Sequence, residues 1–203
     1  SMIAHALRRR ADVLDRVAFH VCDATEYEQL MGLSKDRPFD KITIKNIASG
    51  AGIIRPTFYK HFQDKYDLLE WVFVHDILEP SHALIRAQMF EEAICLVFKC
   101  LQKEGEFYRR IINIPSQNSF HDMVLSALTE WILPLMEVEG TGFSKPYEWL
   151  TPKNIAWYYA NSMTAVIIYW IGQSFPYSVD DILDAYRYLS IHSINDMLKG
   201  NCK

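Results

Sequence analysis

The stretch AGIIRPTFYKHFQDK, residues 51–65, packs a proline, aromatic rings and a run of basic and hydroxyl side chains into one short segment. Its parts separate by backbone requirement. Gly52 permits the left-handed backbone angle of a tight turn. Pro56 fits the first turn of a helix, where its missing N–H costs no hydrogen bond. That helix runs to about Phe62, with Ile53 and Phe58 facing inward and Phe62 anchoring its end. Asp64 then caps the next helix, which has Asp67 near its positive end and Leu68, Leu69, Val72 and Phe73 as its apolar face. Upstream, Thr43 caps a helix of about seven residues ending at Ser49. Ile44 and Ile47 face inward there, and Ala48 is small enough for close packing. Two short helices joined by a glycine-containing turn make a helix-turn-helix over residues 43–62.

The residues left outside are Arg55, Thr57, Tyr59, Lys60 and His61. Such a surface suits the DNA major groove. Arginine reads guanine bidentately, and tyrosine and proline pack on thymine methyl groups. Thr43, Thr57, Lys60, His61 and Lys65 have the chemistry to hold phosphates. Charge agrees. The chain carries a net −4, but residues 41–65 hold five basic side chains and one acid, a local +4 on a body of −8. That is the electrostatic footprint of a nucleic-acid surface on an acidic protein. Burying Arg55, Lys60, His61 and Lys65 in a helical corner would instead be costly.

On these residues a resemblance is plain. TIKNIASGAGIIRPTFYKHFQDKYDLL, residues 43–69, resembles the DNA-binding motif of the TetR family, the tetracycline-repressor-like regulators. The matched positions are Thr43, Ala48, Gly52, residues 57–62 and Lys65. The resemblance implies that Thr43 binds phosphate at the first helix's start. Arg55 and Pro56 would meet base edges, and Thr57, Tyr59, Lys60 and His61 would face DNA. Lys65 would hold phosphate through the fourth helix's start. Ile54 departs from the pattern, because many members carry a capping serine or threonine there.

Elsewhere helical periodicity dominates, which predicts an all-α fold of about nine helices. Half the residues are hydrophobic, so a packed core is expected rather than disorder. Residues 1–22 read as an N-terminal extension with Arg8, Arg9 and Arg10. Residues 23–70 read as the three-helix DNA-binding domain and residues 71–203 as a regulatory and dimerisation domain. Ile3 to Val21 forms one helical stripe, and Thr25 with Glu28 suggests a second start, closed by Gly32 and Pro38. Later helices are expected over residues 79–88, 90–104, 106–114, 119–136, 151–175 and 179–199.

The resemblance extends to the later helices, which in the family dimerise and enclose a ligand. It implies a homodimer on a palindromic operator, with Ile168, Ile171, Ile182, Tyr186, Leu189, Ser193 and Met197 at the interface. It also implies a ligand-responsive repressor, with a pocket among Phe98, Tyr108, Phe120, Trp131, Trp157 and Tyr158. The segments YDLLEWVF, EFYRRIINIPSQNSF and PYSVDDIL are similar to activators of dihydroxyacetone-kinase operons, which implies control by a protein partner as the alternative. A helical adaptor without DNA binding is a further alternative. No nucleophile elbow, phosphate-binding glycine loop or HExxH appears, so no enzyme, cofactor or metal is expected. The scattered cysteines, the arginines interrupting the first apolar residues and an apolar run of only residues 155–171 point to a cytoplasmic protein.

Overall fold

The computed structural model describes residues 16–112, 120–136 and 147–199; Arg8–Arg10 and the expected turns at Pro115 and Gly140 lie outside them. The described residues are helical throughout, without strands. Helix α1 spans Arg16–Asp36, α2 Ile44–Gly50, α3 Arg55–His61 and α4 Lys65–Phe73. The body follows with α5 His82–Arg86, α6 Phe90–Lys103, α7 Gly105–Ile111 and α8 Phe120–Met136. It ends with α9 Pro152–Gly172, α10 Val179–Ile191 and α11 Ile194–Leu198.

Local chemistry explains the short helices. The Thr43 hydroxyl accepts from the Asn46 N–H at 3.2 Å, and Asn46 Oδ1 accepts from the Thr43 N–H at 3.1 Å. This reciprocal cap starts α2. Gly52, at φ +70°, then turns the chain into α3. Asp64 Oδ1 accepts from the N–H groups of Tyr66 and Asp67 and starts α4. Leu30, Phe39, Ile42, Ile47, Phe58, Phe62 and Leu68 form the core of this head, each 0–1% exposed.

Helix α4 joins head to body. Phe73 at its end meets Tyr108 of α7 and Phe120 of α8 edge-on, at 6.1 and 6.2 Å. The chain continues as a π turn over Val74–Leu78 and a 3₁₀ turn over Glu79–Ser81. The apolar core is continuous from Leu30 to Ile182. Helices α8 and α9 form the most extensive pair in the body, and α10 packs on α6. Arg187 of α10 reaches Glu91 of α6 at 2.8 Å.

Several boundaries differ from the sequence reading. Helix α1 runs unbroken through Thr25, because Tyr27, Met31 and Leu33 keep packing on the core and the backbone needs no new cap. The segment expected as one helix over residues 79–88 is a 3₁₀ turn over Glu79–Ser81 followed by a short α-helix that ends at Arg86, with Gln88 beyond it at φ +60°. The last expected helix breaks at His192. Ser193 caps α11, its hydroxyl accepting from the Asp196 N–H at 3.1 Å. The Ser-x-x-Asp pattern that predicts a start at Ser178 recurs there.

One close approach fixes the start of α7. A Cβ on Gly105 would fall 2.5 Å from the Phe175 ring, which itself packs on Trp170 at 4.8 Å. Gly105→Ala is therefore expected to destabilise the body by about 1.5 kcal/mol through overpacking. Thermal unfolding followed by circular dichroism checks this.

Candidate nucleic-acid interface

Helix α3 buries Phe58 and presents Arg55, Pro56, Tyr59 and Lys60 to solvent. At 100° per residue these four share one face, as the pairs Arg55–Tyr59 and Pro56–Lys60. The Arg55 guanidinium donates to Tyr59 Oη at 3.3 Å and lies 5.9 Å from its ring centre. The tyrosine thus braces the arginine along the helix surface. Thr57 and His61 lie half-buried on the flank. Lys41 and Lys45 are exposed on the neighbouring turn and on α2. They enter the charge count of the sequence but not its list of contacts; exposure on the same head is what adds them. Thr43 sits exposed at the start of α2 with its hydroxyl engaged in the cap.

Lys65 has a structural task that its expected role does not include. Its ammonium donates to the carbonyls of Phe39 at 2.8 Å, Asp40 at 3.1 Å and Ile42 at 3.0 Å. It also lies 4.7 Å from the Phe39 ring centre. All three ammonium N–H donors are directed at backbone carbonyls, so the side chain staples the segment before α2 to α4. Partial burial lowers its pKa, opposed by the nearby Asp40 and Asp64.

The residues expected around a ligand divide between the core and the surface. Phe98, Tyr108, Phe120 and Trp131 are buried in the core. Tyr108 and Phe120 touch ring to ring at 5.8 Å, and Phe98 meets Trp170 at 5.5 Å. Trp131 donates its indole N–H to the buried Ser81 hydroxyl at 3.1 Å. Trp157 and Tyr158 are exposed on the outer side of α9, 48% and 59%. Aromatic content alone does not distinguish a filled core from a lined cavity.

A cleft of about 500 Å³ opens elsewhere, lined by Tyr27, His75, Asp76, Glu79, Pro80, Cys100, Lys103 and Glu104. Burial and a hydrogen bond to Asp76 hold the Tyr27 phenol well above its usual pKa. Burial does the same to Tyr108 beneath it. Beside this cleft, Arg110 donates to the carbonyls of Ser34 and Lys35 at the end of α1, while Glu106 holds the same guanidinium at 2.9 Å. A cation at a helix C-terminus suits the exposed carbonyls there. Among the described residues no group of three or more His, Cys, Asp or Glu side chains is placed to hold a metal, and no helix is long and apolar enough to cross a membrane.

The expected dimer residues also divide. Ile171 and Ile182 are 0% and 8% exposed, in the core of the chain's own fold. Ile168 and Tyr186 are half-buried against that core, and Ser193 is a cap. Leu189 and Met197 remain outside, 56% and 36% exposed. The outward stripe of α9 is instead Tyr158, Ser162, Ala165 and Tyr169. It stands opposite the buried Ala160, Met163, Ile167 and Trp170. Helical phase separates the two faces; apolar content, high all round this helix, does not.

Comparison with known proteins agrees with this architecture. Residues 30–72 match the family described as bacterial regulatory proteins, tetR family, and residues 88–191 match a transcriptional regulator C-terminal region. The chain is 28% identical over 82 residues to the HTH-type dhaKLM operon transcriptional activator DhaS of Lactococcus lactis, a match that spans 44% of that relative's length. A solved dihydroxyacetone kinase operon activator DhaS shares the fold, with a TM-score of 0.60 at 20% identity over 83% of this chain and 93% of that one. The fatty acid degradation regulator FadR of Bacillus halodurans is similar at 0.50 and 17%, over 83% of this chain and 96% of that one. Both domains are thus matched, and the chain belongs to the TetR family of bacterial transcription regulators and is a regulator rather than an enzyme.

Proposed function

We propose that the protein binds double-stranded DNA through α2 and α3, as a homodimer that places one recognition helix in each of two successive major grooves. The observation that carries this is the outward face of α3. Arg55, Pro56, Tyr59 and Lys60 are exposed together on a helix whose other side is anchored by the fully buried Phe58. A single helix-turn-helix reads few base pairs, so specificity calls for two, spaced about 34–36 Å on a near-palindromic operator. The exposed aromatic stripe of α9, with Leu189 and Met197, supports pairing through the end of the body.

Tyr59→Ala and Lys60→Ala are each expected to weaken DNA binding about tenfold while leaving the melting curve unchanged, since both side chains are exposed. Lys60→Ala also lowers the salt slope by about one if it holds a phosphate. Mobility shifts on genomic fragments at several salt concentrations measure both. Unchanged affinity in the two variants would overturn the assignment.

The body, on this reading, tunes DNA affinity by binding an effector. Control by a small molecule is the expectation from family resemblance. The packing of Phe98 on Trp170 and of Tyr108 on Phe120 disfavours a ligand enclosed among these rings, which it would have to displace. Control by a protein partner is the alternative that the resemblance to dihydroxyacetone-kinase operon activators implies. Isothermal calorimetry with metabolite fractions, set beside co-purification of a partner, separates the two.

A further inference from the structure

Ile54 is the residue of the head that folding leaves unexplained. Five other helices of this chain begin with a side-chain oxygen on their backbone N–H groups: Thr43, Asp64, Thr151, Ser178 and Ser193. Ile54 holds the same extended position before α3 and caps nothing. Aliphatic residues rank last at such positions. Burial gives no compensation, because the Ile54 side chain is 68% exposed, while its neighbour Ile53 is the one packed on the core. One exposed aliphatic group is ordinary on any surface. This one directly precedes Arg55 and Pro56, at the start of a helix whose exposed face carries charge complementary to DNA.

The major groove offers a single apolar feature, the 5-methyl group of thymine. We propose that Ile54 is a specificity-determining residue that packs on a thymine methyl, beside the base pair read by Arg55. The proposal rests on the DNA-binding reading and adds to it the base chemistry of one half-site position. A serine at this place would satisfy the helix and offer a hydroxyl to phosphate, without an apolar surface for the thymine methyl. Isoleucine gives up the cap and gains a surface that discriminates between bases.

The test begins with sequences enriched from random duplexes by the full chain and by its Ile54→Ser variant. The wild-type sites are expected to require a thymine in each half-site that the variant's sites do not. Duplexes are then made with deoxyuridine at that position, which removes only the methyl group. Fluorescence anisotropy is expected to show about fourfold weaker binding by the wild type, the worth of one buried methyl, and less than twofold by Ile54→Ser. The variant's melting temperature should equal or exceed that of the wild type, since it restores a cap. Identical enriched sites, or an equal uracil penalty in both proteins, overturns the proposal alone. Failure of both folded proteins to enrich any sequence overturns the DNA-binding reading and this proposal with it.

Discussion

Ala165→Arg is expected to give a monomer and to lower affinity for a two-site operator by about a hundredfold or more. Ala165 lies midway along the outward stripe of α9, between Ser162 and Tyr169. The buried side of the same helix is formed by other residues, so an arginine at this exposed position leaves the chain's own core intact. In the proposed dimer the stripe is covered on both subunits, because such an interface presents the same patch from each. Two arginines are then buried without partners in the seam, which disfavours assembly. Each head still binds one half-site, but the second contact is no longer intramolecular. Sedimentation velocity reads the assembly, and anisotropy on one-site and two-site duplexes reads the affinity. A variant that stays dimeric with unchanged binding would place the interface elsewhere.

Lys65→Met is expected to destabilise the protein by about 3 kcal/mol and to abolish DNA binding. Methionine keeps most of the aliphatic length and deletes the ammonium. The carbonyls of Phe39, Asp40 and Ile42 then lose their shared donor. Hydrogen bonds to a charged group contribute about 1.5–3 kcal/mol each, but Asp40 is exposed and water replaces part of the loss. The segment from Phe39 to Ile42 leads directly into the cap of α2, so loosening it moves the helix that supports α3. Urea unfolding gives the stability, and hydrogen exchange of α2 amides gives the local effect. If Lys65 only held a phosphate, stability would stay constant and the salt slope of binding would fall by about one. The two roles are thereby distinguished in a single variant.

How much was readable in the sequence depends on the range of the interaction. Thr43, Gly52, Phe58, Phe62 and Asp64 act within a few residues of themselves, through caps, a turn angle and one helical period. The reading and the structure coincide there. Lys65 is different: its carbonyl partners lie 23–26 residues earlier, and no local pattern announces them. A positive side chain at the start of a helix reads as a phosphate ligand until the fold brings backbone oxygens to it. Ser193 was legible in principle, since Asp196 completes the pattern used for Ser178. An apolar periodicity running past it hid the break.

The body shows the same limit at larger scale. Helix α9 is apolar on most faces, so composition alone does not show whether Ile171 or Ala165 faces outward. Packing against α8 selects the buried side, and that leaves Tyr158, Ser162, Ala165 and Tyr169 exposed. Likewise, the aromatic residues of α6, α7 and α8 indicate a large apolar interior, but whether rings fill it or line it depends on how four helices meet. The chain's own residues determined an all-α fold with a basic helix-turn-helix, because those signals are local and periodic. Tertiary structure alone decided that Lys65 is a staple, that Ile171 and Ile182 are core, and that Ile54 stands in solvent. Each of these depends on groups distant in sequence, whose positions only the packed fold defines.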